Sequence, residues 1–162
     1  MRPAVRCTHD DNHKKMNPNI PKPTIQPYLF FDGRCEEALD FYKGALDAEV
    51  LMLLRFKDNP EPPKPGDCPP GAGDKVMHAQ FRVGNTFVMA SDGRCGGTPV
   101  FSGFSLAHLV PTEAAADRTF TALADGGEVM MPLGKTFFSP SFGMLTDRFG
   151  VGWMIMTEPS GE

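Results

Sequence analysis

The stretch Ile25-Gln-Pro-Tyr-Leu-Phe-Phe-Asp-Gly-Arg-Cys-Glu-Glu-Ala-Leu-Asp-Phe-Tyr-Lys-Gly-Ala-Leu46 decides the fold. Its first third, Ile25 to Phe31, is short, aromatic and apolar, as a strand is, and Asp32-Gly33 supplies a turn. From Glu36 to Leu46 the period changes, with Ala38, Leu39, Tyr42, Ala45 and Leu46 on one helical face. A strand is expected next over 49–56. The segment 57–74 is too rich in proline to enter a sheet interior and reads as an exposed loop. Val76 to Val83 and Thr86 to Ser91 flank Gly84-Asn85 as a hairpin.

The second half repeats this order. A strand is expected over 104–110, a helix over 113–124, a strand over 128–131, and a hairpin around Phe149-Gly150. Thr112 suits an N-cap and Gly126 a C-terminal stop, with Ala116, Phe120 and Leu123 on one face. A shift of 79 pairs Phe41 with Phe120, Ala45 with Ala124 and Glu49-Val50 with Glu128-Val129. A shift of 66 pairs Gly84 with Gly150, Phe87 with Trp153, Met89 with Ile155, Ser91 with Thr157 and Asp92 with Glu158. The proline-rich loop accounts for the difference, so one insertion reconciles both and marks an internal repeat. The string Asp-Gly-Arg-Cys, at Asp32 and again at Asp92, fits neither shift and reads as turn chemistry.

The fold class is therefore α+β, built from two βαβββ modules. A single domain is expected over 24–158, with module one at 24–97 and module two at 98–158, between an N-terminal tail at 1–23 and a C-terminal tail at 159–162. Met16 in the first tail offers an alternative start. Cys7, His9 and His13 there are of types that suit zinc, but no second ligand pair follows downstream.

Composition narrows the function classes. Of 162 residues, 41% are apolar and 22% charged, enough for a core. Net charge is −4, the wrong sign for tracking phosphates, so no nucleic-acid partner is expected. Nor is a membrane span, since no apolar run approaches ~20 residues. Cys7, Cys35, Cys68 and Cys95 are widely spaced with no secretory segment ahead of them, which reads as reduced thiols in the cytoplasm.

Two βαβββ modules in one chain resemble the vicinal oxygen chelate superfamily, which includes glyoxalase I, bleomycin and fosfomycin resistance proteins and extradiol dioxygenases. The segments 27–42, Met77-His-Ala79, Met89-Ala-Ser-Asp92 and 142–154 resemble its PhnB-like branch. The resemblance implies half-open β-barrels with helices outside, a small-molecule cleft and a homodimer. In metal-dependent members the ligands lie on the first and last strand of each module. Those slots map to Gln26, Ser105, Val88 and Met154, of which Gln26 alone is a credible ligand, so no metal or other cofactor is expected. Relatives are often labelled ubiquinone-pathway methyltransferases, yet no glycine-rich strand-to-helix turn of the kind that holds an adenosyl cofactor is present.

Alternation in Met77-His-Ala-Gln-Phe-Arg-Val83 places His78, Gln80 and Arg82 on one face, directed to a cleft or its rim because burying them would strand donors and charge. With a three-residue hairpin loop they share that face with Val88, Ala90 and Asp92; a two-residue turn reverses the pairing. The expected cleft follows the three-residue loop. It combines His78, Gln80, Arg82 and Asp92 with Tyr28, Phe30, Val88, Met154 and Met156, and with Gln26 and Ser105 from the mapped slots. Histidine titrates near neutrality, so His78 is the candidate catalytic base or oxyanion donor. His108, inside an apolar strand, reads as structural. The readings carried forward are metal-independent binding of an apolar ligand with an anionic or carbonyl group, a glyoxalase- or isomerase-type enzyme with either a divalent metal or a His78 base, and, more weakly, a ubiquinone-pathway methyltransferase.

Overall fold

In the computed structural model, residues 24–61 and 69–158 are described; the expectations for both tails, and for Cys7, His9 and His13, lie outside them. Module one contains β1 (Tyr28–Phe30), α1 (Cys35–Leu46), β2 (Glu49–Arg55), β3 (Val76–Val83) and β4 (Thr86–Ser91). Module two contains β5 (Leu106–Val110), α2 (Glu113–Ala124), β6 (Glu128–Gly134), β7 (Phe142–Thr146) and β8 (Gly152–Thr157). Each forms a four-stranded mixed sheet of one plan, β1-β4-β3-β2 and β5-β8-β7-β6, with the first and last strands of each module parallel. The two-module α+β reading holds, but the sheets are not closed into barrels.

The ends of the elements follow from local chemistry. The Thr112 hydroxyl accepts from the Ala115 N–H at 3.1 Å, capping α2. Asp47 ends α1 in the left-handed region, φ 52°, and Gly126 follows α2 at φ 72°. β6 includes Pro132, tolerated because β6 is an edge strand.

One face of each sheet is packed and the other open. Leu29, Ala79, Phe81, Val88 and Ala90 line the packed face of the first sheet, and Leu145, Trp153 and Ile155 that of the second. These faces and the helices, which touch each other, share one core. At its centre Tyr42 of α1 lies 5.8 Å from Phe81, 5.7 Å from Trp153 and 6.2 Å from Phe149, between ring centroids. The buried Asp147 carboxylate joins the modules, accepting from Tyr42 Oη at 2.7 Å and Trp153 Nε1 at 2.8 Å.

The register corrects two expectations. Val83 pairs with Thr86, so Gly84-Asn85 is a two-residue turn, not the three-residue loop expected. In module two Thr146 pairs with Gly152 and the Asp147 N–H bonds the Val151 carbonyl, leaving the longer turn Arg148-Phe149-Gly150. The extra residue lies in the second hairpin. Tyr28 pairs with Met89 and Ala107 with Met154, so a first-strand shift of 79 accompanies a last-strand shift of 65, not 66. The structural counterpart of Met154 is Met89, and Val88 faces the core.

The cysteines also depart from expectation. Cys35 is a buried free thiol whose pKa is driven upward by burial and by the Asp92 charge. Cys95 is disulfide-bonded, so four reduced thiols is not what is found.

Candidate functional site on the open face of the first sheet

With a two-residue turn, the residues opposite one another on the open face are Tyr28, Met89, Gln80 and Met52 along one row. Phe30 opposite Ser91, and His78 opposite Leu54, belong to the next. Cross-strand partners project to the same side, so strand pairing alone assembles this surface. It is apolar yet uncovered: Tyr28 is 38% exposed, Phe30 52% and Leu54 39%.

Its chemistry centres on one pair. Tyr28 Oη lies 2.9 Å from His78 Nδ1, with the ring centroids 5.6 Å apart. Phe30 stacks on Tyr28, with ring centroids 4.9 Å apart. When the Tyr28 hydroxyl donates to Nδ1, the proton of neutral His78 resides on Nε2. Nε2 is then a donor beside an aromatic platform. It suits an acceptor oxygen on a flat ligand.

Four expected residues, Tyr28, Phe30, His78 and Gln80, thus come together, and Met89, Met52 and Leu54 join them unforeseen. The two-residue reading of Gly84-Asn85 was the signal that finds Met89. Arg82 lies at the strand end, where it pairs with Glu49 of β2. Val88 and Ala90 belong to the core instead of the cleft. Gln26 and Ser105 are half-buried just ahead of β1 and β5.

Asp92 requires the clearest correction. It is 1% exposed, its carboxylate accepting from the Gly33, Cys35 and Val76 N–H groups at 2.9, 2.7 and 2.7 Å. It satisfies the N-terminal end of α1 and ties β1, α1 and β3 together, with no face toward His78. The two Asp-Gly-Arg-Cys turns lie side by side there, a Cβ on Gly93 falling 2.9 Å from Asp32 Oδ1.

Met154 and Met156 lie on the open face of the second sheet, Met154 between Ala107 and Met144, Met156 between Leu109 and Phe142. Because both packed faces share one core, the two open faces do not meet within a chain. The metal slots, with the register corrected, become Gln26, Met89, Ser105 and Met154. An amide, a hydroxyl and two thioethers do not make the donor set of a hard divalent ion. Among the described residues, no three His, Cys, Asp or Glu side chains form a cluster that could hold one.

Two paired βαβββ sheets with open faces make up a fold shared with a glyoxylase/bleomycin resistance protein/dioxygenase domain from Frankia sp. EAN1pec (TM-score 0.61, 16% identity, 88% of this chain and 96% of that one). The chain belongs to the PhnB/YjdN-like family described as 3-demethylubiquinone-9 3-methyltransferase, which matches residues 23–156. It is 34% identical to protein YjdN of Escherichia coli K12 over 136 residues, 81% of this chain and 92% of that protein. Among solved structures it is similar to protein PA1353 from Pseudomonas aeruginosa (42% identity, TM-score 0.74, 86% of this chain and 100% of that one). It is also similar to a putative 3-demethylubiquinone-9 3-methyltransferase, PhnB protein, from Bacillus cereus (32% identity, TM-score 0.70, 83% and 99%). No helix among the described residues is long and apolar enough to cross a membrane.

Proposed function

We propose that the chain binds a small, flat, largely apolar molecule bearing a carbonyl or carboxylate oxygen, without a metal ion, on the open face of the first sheet. The observation that carries this reading is the Tyr28–His78 hydrogen bond on an exposed apolar surface. Tyr28 and Phe30 supply the platform, His78 Nε2 the donor, and Met89 and Met52 an adaptable lining.

A second copy completes the site in this reading. The second sheet's open face carries Leu109, 52% exposed, and Met131, 45% exposed, alongside Met144, Met154 and Met156. Laid over Tyr28 and Phe30, that face supplies sulfur–aromatic contacts and removes two apolar surfaces from water. Sedimentation at micromolar concentration is expected to give a dimer; a monomer would remove this part of the proposal.

The test of binding is thermal stabilisation by 2-naphthoate. The expected result is a saturable rise in Tm, abolished in His78→Ala and reduced in Tyr28→Phe. No rise in the wild type, or an equal rise in His78→Ala, would overturn it. The same pair supports a second reading, His78 as general base for proton removal beside a carbonyl, which solvent deuterium incorporation into a bound ketone would reveal. The methyltransferase of the family description would displace both readings if S-adenosylmethionine alone stabilised the chain.

A further inference from the structure

The seam between the modules holds charged side chains that the proposed function does not use. Two adjoining cavities of about 480 and 180 Å³ share Val83 and His108 in their walls. Their combined size falls within the ordinary range for small-molecule sites. The smaller is apolar, lined by Phe81, Val88, Leu106 and Trp153. The larger has Leu46 and Val110 in its lining but carries charge from both modules: Asp47 at the end of α1 and Arg118 on α2.

The charges are unequally used. Arg82 and Glu49, also on the larger cavity, pair with each other. Among the described residues, Asp47 and Arg118 have no ion-pair or side-chain hydrogen-bond partner, and they do not pair across the cavity. His108 stands opposite Ile155, whose side chain is wholly buried, so its ring projects inward. Burial holds its pKa below the ordinary value, keeping it neutral at pH 7. Neither ring nitrogen has a hydrogen-bond partner among the described residues.

We propose that this seam binds an α-amino acid with an apolar side chain, its carboxylate on Arg118, its ammonium on Asp47 and its side chain in the pocket formed by Phe81, Val88, Leu106 and Trp153. A ligand carrying only an anion would face the unpaired Asp47 carboxylate, and one carrying only a cation would face Arg118. A zwitterion satisfies both, and His108, between the two cavities, offers a neutral donor or acceptor along the ligand. The site does not involve His78, so it stands or falls separately from the open-face reading.

The test is titration of the full chain with L-phenylalanine, followed by amide and side-chain NMR shifts, with 3-phenylpropionate and phenethylamine as single-charge counterparts. The expected result is saturable movement of His108, Arg118 and Trp153 signals, with L-phenylalanine at least ~10-fold tighter than either counterpart. Arg118→Gln and Asp47→Asn each weaken it by ~10-fold or more, and His78→Ala leaves it unchanged. Both substitutions are at exposed positions, and asparagine tolerates the left-handed backbone at position 47. The proposal is overturned by no saturation at ~10 mM, by counterparts binding as tightly, or by shifts confined to Tyr28 and His78.

Discussion

Replacing Asp147 with alanine removes the one carboxylate on which both modules converge. Oδ2 accepts from Tyr42 Oη at 2.7 Å and Trp153 Nε1 at 2.8 Å, and Oδ1 from the Phe149 and Val151 N–H groups at 2.9 and 3.1 Å. The side chain is 3% exposed, so the four donors lose their partner in a place water reaches poorly. A stranded buried donor costs about 1–3 kcal/mol, and four that share one cavity do not add fully. The expected loss is about 4 kcal/mol, a large part of the ~5–15 kcal/mol that holds an ordinary domain together. Tyr42→Phe deletes one donor and leaves the carboxylate three partners, for an expected loss of about 1–2 kcal/mol. Urea unfolding of wild type and both variants, with m unchanged, measures the difference, and a Tm scan should show Asp147→Ala lower by roughly 8–16 °C. A loss below about 1 kcal/mol for Asp147→Ala, or a Tyr42→Phe loss as large, would refute the idea that this carboxylate joins the modules.

Register makes a paired prediction: Val88→Ala costs about 1–3 kcal/mol of stability through its core face, whereas Met89→Ala leaves urea stability within ~1 kcal/mol and weakens 2-naphthoate binding. Gly127→Ala drives a Cβ into the Thr146 carbonyl oxygen, so it is expected to cost ~2 kcal/mol or more in urea unfolding. Burial depresses the His108 pKa, so the folded state resists protonation there. Its contribution to stability is complete above the ordinary value of 6.5 and falls as pH drops below it. Unfolding free energies at pH 7.5 and pH 5 should therefore differ less in His108→Gln than in wild type.

What the sequence made legible was whatever a period records. Ala38, Leu39 and Tyr42 fixed α1, Thr112 fixed the start of α2, and the 79-residue spacing of Glu49 and Glu128 survives intact in the strand pairing. What stayed hidden was turn length. One residue more in Arg148-Phe149-Gly150 than in Gly84-Asn85 moved the last-strand correspondence by one position, which turned Val88 from cleft to core and brought Met89 out. Asp92 was hidden for a different reason. A polar residue after a strand reads alike whether it meets a ligand or the backbone of a helix start, and only the fold brings Gly33, Cys35 and Val76 to it. The Tyr28–His78 bond spans 50 residues and depends on parallel β1–β4 pairing, which no local pattern encodes.

The central claim, that Tyr28 and His78 form a ligand platform on the open face, is tested most directly by intermolecular NOEs between bound 2-naphthoate and assigned side chains. The account predicts contacts from the naphthyl protons to the rings of Tyr28 and Phe30 and the Met89 methyl, with the His78 Nε2 proton shifted on binding. NOEs to Val88 or Trp153 in place of these, or saturating 2-naphthoate with no contact to Tyr28, would contradict it.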